Sequence, residues 1–300
     1  MTYFYGLMTA LWLCCVSFSA NGQESSNLQW HGYFSQGITQ SIDSDFITSD
    51  NQISAELTEI GLNGLYQVAS NISIAGQVVY LDGGNRFEQG SRLDYLFIDW
   101  TVDDIAGWQA QIHLGRYKNS HWLYSVTRDV PQTRDTAVLP QSVYFDGFRD
   151  VALGSNGIQT RFSKYTDNHV WEVNWSYGRS TINEEQRDYL LGSLALGKIK
   201  QDFVHQFSVF WQPASMNWKL GASWLDSDFE YIPLEQDNRF AGMSNIRRFM
   251  ISMQYFSENW ELSSELLREI QDFNGVFTPD YYDKRTGEGG FVQLRYLFSP

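Results

Sequence analysis

The chain has two cysteines, Cys14 and Cys15, and both lie in its first 22 residues. The remaining sequence holds no thiol, which excludes a disulfide framework, a cysteine zinc site and a cysteine nucleophile there. Long apolar runs are missing too. Leu7 to Phe18 is too short for a spanning helix, which needs about 20 apolar residues, and no later stretch approaches that length. Basic charge is scarce, with 21 Lys and Arg against 35 Asp and Glu and a formal net charge of −14. That balance argues against nucleic acid as a partner. The five histidines (His31, His113, His121, His169 and His205) are scattered without metal-ligand spacing. There is no glycine-rich phosphate loop and no nucleophile elbow. These absences imply no cofactor, no bound metal and no catalytic residue.

Residues 1–22 read as a signal peptide. Leu7 to Phe18 forms its apolar stretch, and Ala20-Asn21-Gly22 is a small-x-small cleavage site, so the mature chain starts at Gln23. The segment before the apolar stretch, Met1 to Gly6, carries no Lys or Arg. Leu11, Trp12 and Leu13 are too bulky for a lipoprotein signal ahead of Cys14. Residues 23–300 then form a single domain, since no repeat, linker or low-complexity segment divides them.

What is present is a rhythm. Aromatic residues make up 16% of the chain, yet mean hydropathy is −0.35, so the rings are not gathered into apolar runs. They stand singly, alternating with polar residues, as in Trp171-Glu172-Val173-Asn174-Trp175 and Trp218-Lys219-Leu220-Gly221-Ala222. A period of two sends successive side chains to opposite faces of a strand. Twelve strands are expected: Leu28–Ser41, Gln52–Val68, Ile72–Leu81, Arg92–Val102, Trp108–Tyr117, Asn156–Ser163, His169–Tyr177, Phe203–Gln212, Trp218–Asp226, Arg248–Phe256, Trp260–Gln271 and Phe291–Phe298. The connections between them alternate short and long. Tight turns on one rim and large loops on the other mark an up-and-down barrel.

The expected fold class is all-β, a transmembrane antiparallel up-and-down β-barrel. Its lipid face is named by parity: Leu96, Ile98 and Trp100; Ala110, Ile112 and Leu114; Phe207, Val209 and Trp211; Val292, Leu294 and Tyr296. Lys or Arg at the bilayer midplane on that face costs about 2–4 kcal/mol. The polar set must then face a wet lumen. Arg116, Arg161 and Arg295 are assigned to the lumen, with Glu172, Glu261, Glu265 and Glu269. A soluble β-sandwich is the competing architecture; the even strand number and the alternating connections favour the barrel.

The longest connection, Lys118–Ser155, is the third outer loop. It carries Arg128, Arg134 and Arg149 beside Asp129, Asp135, Asp146 and Asp150, with Pro131, Pro140 and several apolar residues. A loop this long in a compact domain is usually functional or disordered, and the mixed charge, prolines and apolar residues here argue for an ordered one. Gly115-Arg116-Tyr117-Lys118-Asn119, Thr127-Arg128-Asp129-Val130-Pro131 and Leu139-Pro140-Gln141-Ser142-Val143-Tyr144-Phe145-Asp146 resemble a Gram-negative outer-membrane porin-like family akin to the phosphate-selective porin O/P group. Leu28-Gln29-Trp30-His31-Gly32-Tyr33-Phe34 resembles its first strand. The resemblance implies a diffusion channel, a homotrimer, and a third loop folded into the lumen as a constriction. The chain departs from the family at Asp135, where a proline is expected. It also ends at Ser299-Pro300, short of the family's further strands. It is either truncated from a 16-stranded type or closed with fewer strands.

The constriction is expected to use Arg116, Lys118, Arg128, Asp129, Arg134, Asp146, Arg149 and Arg161. Arginines on one wall facing acidic loop residues would set a transverse field; alternatively each arginine pairs with a neighbouring carboxylate and braces the barrel. No clustered phosphate-recognition signature is present. Expected partners are outer-membrane lipid, lipopolysaccharide and small hydrophilic solutes. Two other readings are a plugged structural or adhesive barrel and an outer-membrane phospholipase-type enzyme. The enzyme would need a Ser–His pair, and Ser208 and His205 have opposite parity.

Overall fold

The computed structural model describes residues 27–49, 53–148 and 154–298. The leader, with Cys14 and Cys15, lies outside the described residues, as do Arg149 and Asp150. All twelve expected strands are present: β1 (Leu28–Gln40), β2 (Ile53–Ala69), β3 (Ile72–Leu81), β4 (Gly90–Ile105), β5 (Trp108–Lys118), β6 (Gly154–Tyr165), β7 (His169–Arg179), β8 (Lys198–Pro213), β9 (Trp218–Ile232), β10 (Gly242–Phe256), β11 (Trp260–Gly275) and β12 (Tyr282–Tyr296). They form one antiparallel sheet of 12 strands in chain order. Among the described residues β1 pairs with β2 alone and β12 with β11 alone, so the sheet keeps two edges.

Parity sorts the faces. Leu96, Ile98, Trp100, Phe207, Leu266, Val292 and Leu294 are exposed on the outward face, whereas Gln206, Ser208, Ser263 and Glu265 are buried on the inward one. An apolar outer surface around a polar interior inverts a soluble sheet protein, because water is a poor solvent for so large an apolar area. Aromatic side chains gather at the rim of tight turns, where Trp218 lies 4.6 Å from Tyr255 and Trp260 lies 4.5 Å from Tyr296, ring centre to ring centre. Such girdles suit a membrane–water boundary, which is apolar on one side and wet on the other.

Several strands run further than expected. The expected loop Asp272–Gly290 is mostly strand, since β11 reaches Gly275 and β12 begins at Tyr282. β8 starts at Lys198 and β10 at Gly242. These added lengths all lie toward the rim of long loops, where the outward face turns polar, as at Lys198 and Lys200, and the alternation that betrays a strand weakens. The fourth loop contains a helix, α1 (Glu184–Leu191), not expected from the sequence. Asn183 caps it, taking the Gln186 N–H at 2.8 Å while the Gln186 side chain takes the Asn183 N–H at 3.2 Å.

The described part of the third loop, 119–148, runs inside the curve of the sheet. Tyr33 on β1 donates to the Asp129 carbonyl, and Ser142 donates to the Gly290 carbonyl on β12 at 2.8 Å. The loop thus touches both edge strands from within. Its backbone lies so close to β12 that a Cβ at Gly289 would collide with the Ser142 carbonyl oxygen. Only glycine fits at that contact.

Candidate pore-lining site

One side of the third loop is apolar. Trp122, Tyr124, Leu139, Val143 and Tyr144 pack on Val204, Leu225, Phe229, Ile246 and Met250, inward residues of β8, β9 and β10. Burying each of these side chains is worth roughly 1.5–3 kcal/mol, so this contact fixes where the loop lies. Arg248 caps it, its guanidinium 5.3 Å from the Trp122 ring centre. The polar groups carried into this contact are paired. Glu265, fully buried on β11, accepts from the Tyr144 hydroxyl, from the Leu123 N–H at 3.0 Å and from Ser252 at 2.7 Å. Burial, and next the Glu265 carboxylate, hold the Tyr144 phenol well above its ordinary pKa. His121 is buried where the loop begins, its ring nitrogens 2.9 Å from Ser176 Oγ and 3.1 Å from Ser208 Oγ. Burial, reinforced by Arg161, pushes this imidazole down to about 3, so it is neutral near pH 7.

The other side is ionic. Lys118 Nζ lies 2.7 Å from Asp94 and 2.9 Å from Asp129. Asp146 is clamped between Arg128 and Arg86, the latter at 3.2 Å. Arg134 reaches Glu59 on β2 at 2.6 Å and donates to the Arg128 carbonyl at 2.8 Å. Burial lowers the pKa of Arg128 and of Arg86, and Asp146 opposes that in both. Arg161 is more open. It donates to Asn174 at 3.2 Å and Ser120 at 3.0 Å, with Glu172 at 3.8 Å.

The structure therefore brings Lys118, Arg128, Asp129, Arg134 and Asp146 together along the loop, and places Arg161 on the wall beside Ser120. Arg149 lies outside the described residues. Arg116 corrects the sequence reading. The inward positions on β5 continue from Gln111 and His113 to 115 and 117, whereas Arg116 shares its register row with outward Leu96 and with Asn156. It is a rim residue. Its Nε donates to the Asp94 carbonyl at 3.2 Å, and it lines a cavity of about 450 Å³ with Arg92, Asp146 and Asn183.

Sequence reasoning missed Asp94, Arg86 and Glu59. Asp94 is the extra residue of a bulge, because Tyr95 pairs with Gln77 and Leu93 with Val78. A bulge re-aims a side chain, and Asp94 turns to Lys118 and to Gln77, 2.9 Å away. The trace in the sequence is a slipped alternation at Leu93-Asp94-Tyr95-Leu96. Arg86 and Glu59 carry no local signal, since their partners lie 60 and 75 residues away. Asp135, the departure from the resembled family, meets Arg295 on β12 at 2.5 Å and accepts from Gln293 at 3.1 Å. A proline there would have no such anchor.

A second cavity, of about 360 Å³, lies under the loop. Val126, Thr127 and Val130 face Asn63, Gln77, Tyr95, Phe97, His113, Gln159 and Arg161 across it. Phe97 stacks on His113 with ring centres 4.3 Å apart. Ser208 and His205 lie on opposite faces: His205 accepts from the Trp175 indole at 2.5 Å, while Ser208 meets His121.

No protein-family model matches the chain, and neither does any curated protein sequence. Among solved structures it is similar to a loop L8 deletion mutant of OmpT, an outer membrane protein of Vibrio cholerae, with 9% identity over 91% of this chain and 90% of that one, TM-score 0.43. It is also similar to the outer membrane channel DcaP of Acinetobacter baumannii, with 11% identity over 92% and 99%, TM-score 0.38. A third likeness is to an anion-selective porin from Comamonas acidovorans, with 10% identity over 90% and 98%, TM-score 0.30. At this distance a shared strand pattern fixes no solute, and the loop and wall of this chain are the better guide to what it does.

Proposed function

We propose that the protein is an outer-membrane pore that passes small hydrophilic or ionic solutes between the third loop and the inward face of β2 to β6. The cavity under the loop carries this reading. Polar and aromatic side chains line its wall, and the loop is fastened mainly to the other side by its apolar cluster. Lys118, Arg128, Asp129, Arg134, Asp146 and Arg161 form the charged margin of the path, with Arg116 at its rim. Most of these charges are paired, so the field a solute meets is one of short dipoles rather than free charge. The leader ending at Gly22, the homotrimer and contact with lipopolysaccharide belong to the same proposal.

Single-channel conductance of the refolded chain from Gln23 in a planar bilayer tests it. Discrete ohmic steps are expected, and Lys118→Gln with Arg161→Gln is expected to move the reversal potential toward cations. Folded, heat-modifiable protein without conductance would support the second reading, a plugged barrel. The same buried pairs that brace the loop favour that alternative.

A further inference from the structure

Beyond the lumen, one region gathers basic side chains in an otherwise acidic chain. At the rim of long loops a cleft of about 980 Å³ opens where β7 ends and β8 continues. Arg179, Arg187, Lys198 and Lys200 line it, against the single carboxylate of Glu184. Asp188, Asp202 and Glu230 pair with Arg187 and Lys200 at its edge, so the positive character of the cleft rests on Arg179 and Lys198. The backbone dictates which way these side chains go. Arg179 follows exposed Tyr177 by two on β7, and so shares its outward face. Lys198 pairs with exposed Ile232 and Lys200 with Glu230, which places both lysines on the outward face of β8.

Two of the cations are uncommitted. Among the described residues neither Arg179 nor Lys198 has an ion-pair partner. Lys200 lies 2.8 Å from Asp202 and 4.0 Å from Glu230, and Arg187 lies 2.7 Å from Asp188. Apolar surface flanks the cleft. Leu196, Ile232 and Leu234 are exposed beside it, and just below, Tyr177 stacks on Phe203 with ring centres 6.1 Å apart. Free guanidinium and ammonium groups above an aromatic step and an apolar band complement a ligand with phosphates at one end and acyl chains at the other.

We propose that this cleft binds the phosphorylated headgroup of an outer-leaflet glycolipid, with Arg179 and Lys198 holding the phosphate. The proposal rests on the outer-membrane reading for the source of the lipid, and on the charge of the cleft for its chemistry. The headgroup sits on loop-four residues 180–184 and 196–197 beside Ile232, and its acyl chains descend along Tyr177 and Phe203.

The full chain refolded in detergent micelles is titrated with bisphosphorylated lipid A and with the same lipid stripped of its phosphates, and bound lipid is read by native mass spectrometry. The expected result is a preference of about tenfold for the phosphorylated lipid, lost in Arg179→Glu with Lys198→Glu and in the milder Arg179→Gln with Lys198→Gln. Equal binding of the two lipids by the unaltered protein overturns the proposal, as does a preference that survives in the variants. Inorganic phosphate that competes as well as the lipid overturns the lipid assignment in favour of a free-anion site. Failure of the outer-membrane reading shows separately, as a chain that does not insert into lipid vesicles, whatever lipid it binds in micelles.

Discussion

The two sides of the third loop are held by opposite chemistries. Toward β8, β9 and β10 the loop presents Trp122, Leu139, Val143 and Tyr144 to an apolar wall. Toward β2, β4 and the second outer loop it presents Arg134, Lys118 with Asp129, and Asp146, each matched to an opposite charge. Apolar contact is non-directional and stabilises by area. A buried ion pair roughly cancels its own desolvation, and is costly only when one partner is removed. The apolar side therefore sets how firmly the loop is held. The ionic side sets its register against the wall and leaves polar surface where solute passes.

The sharpest way to break this division is Tyr144→Ala. It deletes a buried ring and takes the phenol donor from Glu265, which keeps Ser252 and the Leu123 N–H, and a loss of about 3–5 kcal/mol is expected in chemical unfolding. Conductance should become larger and noisier as the loop lifts. If it does not, the loop is held elsewhere. Arg128→Met strikes the ionic side. Asp146 keeps Arg86, so the expected loss is about 2–3 kcal/mol, below that for an orphaned buried charge. Arg128→Met combined with Asp146→Leu also strands Arg86 and should lose more than the single variant, and a double variant no worse than the single would contradict the shared clamp.

Acid should loosen the start of the loop through His121. This imidazole is held near 3 in the folded chain against an ordinary 6.5, by burial first and Arg161 second. Between those values the unfolded chain binds a proton that the folded chain does not, so stability falls as pH drops through the window. The slope is at most about 1.4 kcal/mol per pH unit. His121→Gln should flatten it in unfolding curves measured at pH 7, 5 and 4; an unchanged slope assigns the acid loss to other groups. The smallest effect is expected from Asp135→Asn. Arg295 is about 43% exposed and also meets Glu261, so solvent screening leaves under about 1 kcal/mol. A loss comparable to Tyr144→Ala would make the β12 anchor, not the apolar cluster, the main fastening.

The strands were legible in the sequence wherever lipid and lumen differ. Leu96, Ile98 and Trp100 alternate with polar residues because each face meets a different solvent. Beyond the membrane band that difference vanishes, and so did the signal: Asp283 to Gly287 are strand with no apolar alternation. At the site, the charged residues of the third loop could be named in advance, but not their partners. Arg86 and Glu59 meet the loop only after the sheet has curved, and Asp94 faces inward only because of a bulge. Arg116 was legible by counting, two on from outward Leu114; its charge suggested the wall, and the register puts it on the outward row.

Composition and period by themselves determined that this chain makes an antiparallel, up-and-down sheet with a polar inside, an apolar outside and one long loop too ordered to be a linker. Those properties depend on residues a few positions apart, whose geometry the backbone fixes. Tertiary structure alone decided which carboxylate the loop arginines meet, that Glu265 receives the loop, and that Arg179 and Lys198 stand beside one cleft with no ion-pair partner among the described residues. Each of these needs groups far apart in the chain to come within a few ångströms, and the interaction of charges over such distances depends on burial that no local pattern encodes.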